Sequence, residues 1–208
     1  EGANVVVADV RAPLAVAVAD EISARGGSAL AVECDVSIEA DVESLVAKTV
    51  SEFGSVYGMV ANAGTAGRGW IHELTMEDWQ FVLGVNLTGP FLCAKHAIPH
   101  MMKDGAGSFV VTSSIAGSVV GAGGAAASYT VSKHGVIGLA KQIAVDYGSY
   151  GIRANAIQPG GVADSNLGLH ARQDREQAST PAATLPRGKP WLALRRQGKS
   201  KDEYGATI

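Results

Sequence analysis

Short, almost wholly apolar runs alternate with longer segments of helical spacing along most of this chain, and that alternation constrains its fold more than any other feature. The first run, Ala3 to Ala8, closes on Asp9. It is followed by Ala12 to Arg25, with Leu14, Val18 and Ile22 at helical spacing and Gly26-Gly27 as a stop. Ala29 to Cys34 reads as the next strand, Asp35-Val36-Ser37 as a turn with a helix N-cap, and Glu39 to Phe53 as an amphipathic helix closed by Gly54. Val56 to Ala61, Ser108 to Thr112 and Ile152 to Gln158 read as further strands. Met76 to Met102 reads as mostly helical, with Pro90 and Pro99 expected to kink or end it, and Ser128 to Tyr147 as another helix. Strands apolar on both faces belong to sheets covered on both sides, and strand-helix alternation requires parallel strands joined by right-handed crossovers. The expected architecture is α/β, a doubly wound parallel sheet of Rossmann-like type, with ligands at the carboxyl ends of its strands.

Composition narrows the partners. The 208 residues, 47% hydrophobic and 18% charged, suit one domain over 1–208 with a sizeable core. A net charge of -3 leaves no electrostatic excess for nucleic acid or an anionic membrane surface. No uninterrupted apolar run of bilayer length and no signal segment is visible, so a cytoplasmic protein is expected. Cys34 and Cys93 lack a CxxC spacing and read as buried thiols. His96 and His100 have the i, i+4 spacing of a metal pair, but no third ligand accompanies them, and packing or surface roles are expected. The segment 163–198 is polar and punctuated by Pro181, Pro186 and Pro190, and is expected as a substrate lid or a disordered segment.

Tyr129-Thr130-Val131-Ser132-Lys133 carries the chemistry. On a helix this spacing places a phenol and an ammonium on one face. A free tyrosine, with a pKa of about 10, exchanges its proton poorly near neutrality. A unit charge ~4 Å away, at an effective dielectric of about 20, is worth roughly 4 kcal/mol, or about three pKa units before desolvation subtracts from it. Ser114 follows an apolar strand, so its hydroxyl is expected at that strand's carboxyl end, where it can hold a substrate oxygen.

These residues, together with Asp9, Asp35-Val36, Asn62-Ala63-Gly64, Val85-Asn86, Ser113-Ser114 and Pro159-Gly160, resemble the classical short-chain dehydrogenase/reductases from about Gly2 to Val162. The resemblance implies an oxidoreductase that interconverts a secondary alcohol and a ketone by hydride transfer with a nicotinamide cofactor. It implies Tyr129 as the acid/base and Lys133 as the residue that lowers the tyrosine pKa and bonds the nicotinamide ribose. Ser114, rather than Ser113, matches the serine that polarises the substrate oxygen, and Asn86 the helix-kinking asparagine that anchors a water in a proton relay. Asp9, Asp35, Val36, Asn62, Ala63, Gly64, Tyr129, Lys133, Pro159, Gly160 and Val162 are the implied cofactor contacts. A carboxylate at Asp9 accepts bonds from a ribose diol and repels a 2'-phosphate, which favours NAD over NADP, with Arg11 opposing slightly. The implied assembly is a homodimer or homotetramer.

The pattern also has departures. The family's glycine-rich phosphate loop and the strand before it belong ahead of Glu1, and the chain as given lacks both. A fragment of a longer protein is expected, unstable or inactive alone, because neighbours of a missing central strand keep unpaired backbone groups. Asp164 stands where many relatives carry a threonine, with Ser165 as a substitute. The competing expectation is a non-catalytic remnant that keeps the sheet and oligomerises through its long helices.

Overall fold

A computed structural model describes residues 2–67, 69–120, 127–162 and 167. It is α/β throughout, a Rossmann-like arrangement of parallel strands and helices. Strand β1 (Asn4–Asp9) leads into helix α1 (Ala12–Ala24), strand β2 (Ser28–Glu33), helix α2 (Glu39–Phe53) and strand β3 (Gly58–Ala61). Helix α3 (Met76–Leu83) then runs through a π-helical turn (Gly84–Thr88) into helix α4 (Gly89–Asp104) and strand β4 (Gly107–Thr112). A short 3-10 turn (Ile115–Gly117), helix α5 (Ala127–Tyr147) and strand β5 (Ile152–Ile157) complete the described elements. The expected lid or disordered segment over 163–198, Asp164 and Ser165 included, lies outside the described residues apart from Leu167.

The strands form two parallel sheets, β1-β2 and β3-β4-β5. Asn4 pairs with Ser28 through to Asp9 with Glu33, and Ala61 pairs with Val111, which in turn pairs with Ala156. Among the described residues no strand pairs with the second edge of β1 or of β3. Val60 of β3 is accordingly 64% exposed despite its apolar side chain. One buried cluster nevertheless reaches from Val32 and Cys34, through Val42 of α2 and Met101 of α4, to Phe109, Val136 and Ile152.

Local chemistry sets the ends of the helices. Thr75 caps α3, its hydroxyl oxygen accepting from the Asp78 N–H at 3.0 Å. Gly54 and Gly105 close α2 and α4 in the left-handed conformation, with φ of 80° and 69°. The side-chain cap expected from the Asp35-Val36-Ser37 turn is absent. Ile38 occupies the N-cap of α2 without a side-chain bond. The Asp35 carboxylate instead folds the turn on itself, accepting from the Ser37 N–H and hydroxyl at 2.9 and 2.7 Å, while Asp41 accepts from the Asp35 N–H at 3.0 Å.

Neither proline ends the long helical run. Pro90 falls in the first turn of α4, directly after the π turn, and Pro99 lies inside α4 on an exposed face where water can satisfy the carbonyl that loses its partner. The run Met76–Asp104 is 29 residues, long and apolar enough to cross a membrane by length and composition, with half of its most apolar window buried inside the fold. Its contacts are with α2, α5, β3 and β4. Gly107 of β4 shows how closely α4 is seated, since a Cβ there would lie 2.6 Å from the Met101 sulfur.

Candidate active site

The carboxyl ends of β3, β4 and β5 lie side by side, and Asn62, Ala63, Gly64, Ser113, Ser114, Pro159 and Gly160 follow these strands directly. Lys133 comes from the first half of α5 and is 3% exposed. Its ammonium donates to the Thr112 carbonyl at 2.7 Å and stands 5.6 Å from the centroid of the Tyr129 ring, one helical turn earlier. Burial pushes the Lys133 pKa down to about 8. The phenol and the ammonium therefore share the face that their spacing predicts, and the cation lies within reach of the ring's electrostatic field.

Ser113 and Ser114 follow β4 directly. The Ser113 hydroxyl donates to the backbone carbonyl of Lys133 at 2.7 Å, both groups being buried. Ser114 is extended, and its oxygen accepts from the Ala116 N–H at 3.2 Å at the start of the 3-10 turn. That bond uses the serine oxygen as acceptor and leaves its hydroxyl proton for another partner. The backbone of this segment is tied to the end of β5, Ser113 N–H to the Ile157 carbonyl at 2.8 Å and Ile115 N–H to the Pro159 carbonyl at 3.0 Å.

Asn86 lies in the π turn and is fully buried. Its carboxamide takes both backbone groups of Thr65, accepting from the N–H at 2.7 Å and donating to the carbonyl at 2.9 Å, and it donates to the Ser132 hydroxyl at 3.2 Å. The side chain is thus spent on holding the loop after β3 against α5. Pro90 has no N–H to return to the Asn86 carbonyl four residues earlier, so this π turn is where a backbone acceptor is released.

The remaining predicted contacts lie at or just beyond the ends of strands in both sheets. The Asn62 carboxamide oxygen accepts from the Thr112 hydroxyl at 2.9 Å, and Ala63 and Gly64 are exposed beside it. A Cβ on Gly64 would lie 3.5 Å from both Asn86 Oδ1 and Lys133 Nζ, which places this glycine between the two. Val36 packs against Gly89, where a Cβ would meet the valine side chain at 2.9 Å, bringing the Asp35-Val36 turn to the start of α4. Asp9 ends β1, accepting from the Arg11 N–H at 2.8 Å with the Arg11 Nε at 3.5 Å. Pro159 is buried, and Gly160 and Val162 are half-buried beyond β5.

Residues set aside by the sequence reading also find places. His96 contacts Glu39 at 3.2 Å, and Lys95 donates to the same carboxylate oxygen at 2.5 Å, tying α4 to the start of α2. These contacts hold the Glu39 pKa below its usual value, through the Lys95 bond first and the His96 bond second. Cys34 and Cys93 are buried thiols, as expected, and burial raises them to about 11 and about 12. Phe91 and Trp70 are 51% and 44% exposed.

The sequence matches, over residues 1–190, the family model described as enoyl-(acyl carrier protein) reductase. It is 42% identical over 191 residues, 90% of this chain and 74% of the relative, to a cis-4-hydroxycyclohexanecarboxylate dehydrogenase of Sinomonas cyclohexanicum. The fold superposes on a short-chain type dehydrogenase/reductase from Mycobacterium marinum with a TM-score of 0.86, at 28% identity over 98% of this chain and 76% of that one. A gluconate 5-dehydrogenase from Burkholderia cenocepacia, solved with NADP and tartrate, gives a TM-score of 0.76 at 27% identity, over 84% of this chain and 68% of that one. The chain spans 58% and 63% of the length of two further curated relatives.

Proposed function

This chain belongs to the short-chain dehydrogenase/reductase family, and we propose that it supplies the catalytic centre of an oxidoreductase interconverting a secondary alcohol and a ketone with NAD. The observation that carries this reading is the buried Lys133 ammonium beside the Tyr129 ring. A cation in that position favours the phenolate, so Tyr129 takes a proton from the alcohol oxygen in one direction and returns it in the other. The Ser114 hydroxyl proton, not consumed by its bond from Ala116, is available to the same substrate oxygen. A water serving the relay is assigned to the Asn86 backbone carbonyl, because the carboxamide is fully occupied by Thr65 and Ser132.

The residues present fit a nicotinamide dinucleotide. Lys133 spends one of its donors on Thr112, which leaves others for ribose hydroxyls, and Gly64 presents no side chain next to it. When bound, the nicotinamide ring supplies or accepts the hydride. Asp9 favours NAD, since its carboxylate is suited to a ribose diol and repels a 2'-phosphate. Arg11, beside it, offsets part of that repulsion, and the gluconate 5-dehydrogenase solved with NADP marks the competing preference. A second copy of the chain is part of the reading, supported by exposed apolar residues on α4 and α5, Phe91, Val131 and Val145.

Tyr129→Phe in the complete protein tests the assignment. Turnover of a panel of secondary alcohols, followed by absorbance of the reduced nicotinamide, should vanish while NAD binding persists. Retained turnover refutes Tyr129 as the acid/base, and absence of both binding and turnover in the unaltered protein favours a non-catalytic remnant.

A further inference from the structure

Lys133 is gripped at both ends by consecutive residues of one strand end. The Thr112 carbonyl receives its ammonium, and the Ser113 hydroxyl donates to its backbone carbonyl, each at 2.7 Å. Ser113 is 2% exposed, so this hydroxyl faces no solvent and no substrate. The third member of the lock is Gly117. A Cβ there would fall against the Ser113 hydroxyl, 2.6 Å from the Lys133 carbonyl oxygen and 2.8 Å from Ile137 Cδ1. The 3-10 turn that carries Gly117 is therefore pressed onto α5 at the point where Ser113 bonds it.

We propose that Ser113 is a positioning residue, which sets the register of α5 against the end of β4 so that Lys133 and Tyr129 meet at the correct height. A backbone carbonyl inside a helix already has a helical donor, so the Ser113 bond is not needed to satisfy it. Its effect is to fix where along the helix the strand end is attached. With the ammonium end pinned to Thr112, loss of the carbonyl end lets the helix settle differently while the side chain stays stretched toward the same acceptor. The backbone of Tyr129, one turn away on the same helix, moves with it and would then shift relative to the cation.

This inference rests on the acid/base reading of Tyr129 and Lys133, so Tyr129→Phe is run beside it in the complete protein. Ser113→Ala should lower kcat by roughly 10- to 100-fold, the scale of a small misplacement of a reacting group, with KM for the cofactor changed by less than about 3-fold. The midpoint of the kcat-pH profile for alcohol oxidation should move up by about one unit, because a phenol farther from its cation ionises less readily. Ser113→Thr, which keeps the hydroxyl, should restore the midpoint. Gly117→Ala pushes on the same contact from the other side and should move the midpoint in the same direction, so it decides the matter if Ser113→Ala does not fold. An unshifted midpoint in the folded variants overturns the positioning role, provided that Tyr129→Phe is inactive. An active Tyr129→Phe overturns the underlying function instead.

Discussion

The carboxamide of Asn86 binds the backbone of Thr65 twice, once as acceptor and once as donor, across 21 positions of sequence. This pair fastens the loop after β3 to the helical run behind it and leaves no polar group of that side chain unspent. Asn86→Ala should therefore cost about 2 kcal/mol, since both Thr65 backbone groups lose their partner in a part-buried setting. Urea unfolding of the complete protein measures it, and a loss below about 0.5 kcal/mol would show that the loop finds other partners.

Lys133 makes stability depend on alkaline pH. Its folded pKa of about 8 lies below the ordinary 10.5, so between those values the unfolded chain binds more protons than the folded one. Stability then rises with pH, by about 1 kcal/mol between pH 8 and 9. Above pH 9 the two cysteines oppose this. Their folded pKa values of about 11 and 12 exceed the ordinary 9.0, so their contribution falls as unfolded thiols ionise. Unfolding free energies of the native protein and Lys133→Met, compared at successive pH values, isolate the lysine. A difference that does not change from pH 7 to 9 would contradict the effect of burial.

Asp9 should govern cofactor choice. Asp9→Ser removes the carboxylate that faces Arg11 and should shift the ratio of kcat/KM for NAD over NADP by about 10-fold or more toward NADP, equivalent to about 1.4 kcal/mol. Steady-state kinetics with both cofactors gives the ratio directly. An unchanged ratio would place the discrimination elsewhere.

Two glycines with similar backbone angles should respond differently to alanine. Gly54 has φ +80° and open space around its missing side chain, so Gly54→Ala should cost about 1 kcal/mol of left-handed strain. Gly151 has φ +74°, and a Cβ there would run into the Gly105 carbonyl oxygen, so Gly151→Ala should cost about 3 kcal/mol. Thermal or urea unfolding of both variants tests the difference. Equal losses would mean that the turn joining α5 to β5 yields to the added methyl.

Several parts of the molecule were legible in the sequence because their signals are local. Glu39–Phe53 is bounded by a polar turn and a glycine, and its limits match the expectation to the residue. The remaining helix and strand ends lie within two residues of it. Tyr129 and Lys133 were placed on one face by spacing alone. What escaped was decided by tertiary context. Ser37 looks like a cap, but the neighbouring Asp35 carboxylate offers its N–H and hydroxyl a closer partner. Pro90 looks like a helix break, yet it sits in the first turn of α4 and the helical run continues through it, with only the Asn86 carbonyl losing a donor. The Ser113 bond is not legible either, because its partner is a backbone carbonyl, and a backbone group has no sequence signature.

Among the described residues the second edges of β1 and β3 carry no strand, and this bears on how the polypeptide behaves in the test tube. Each exposes a ladder of amide and carbonyl groups ready to accept an extended peptide, and β3 adds a solvent-facing valine. Material made from these 208 residues alone should stick to itself through added strands, eluting as broad high-mass species, and should become better behaved when supplied with a peptide that can zip along those flanks.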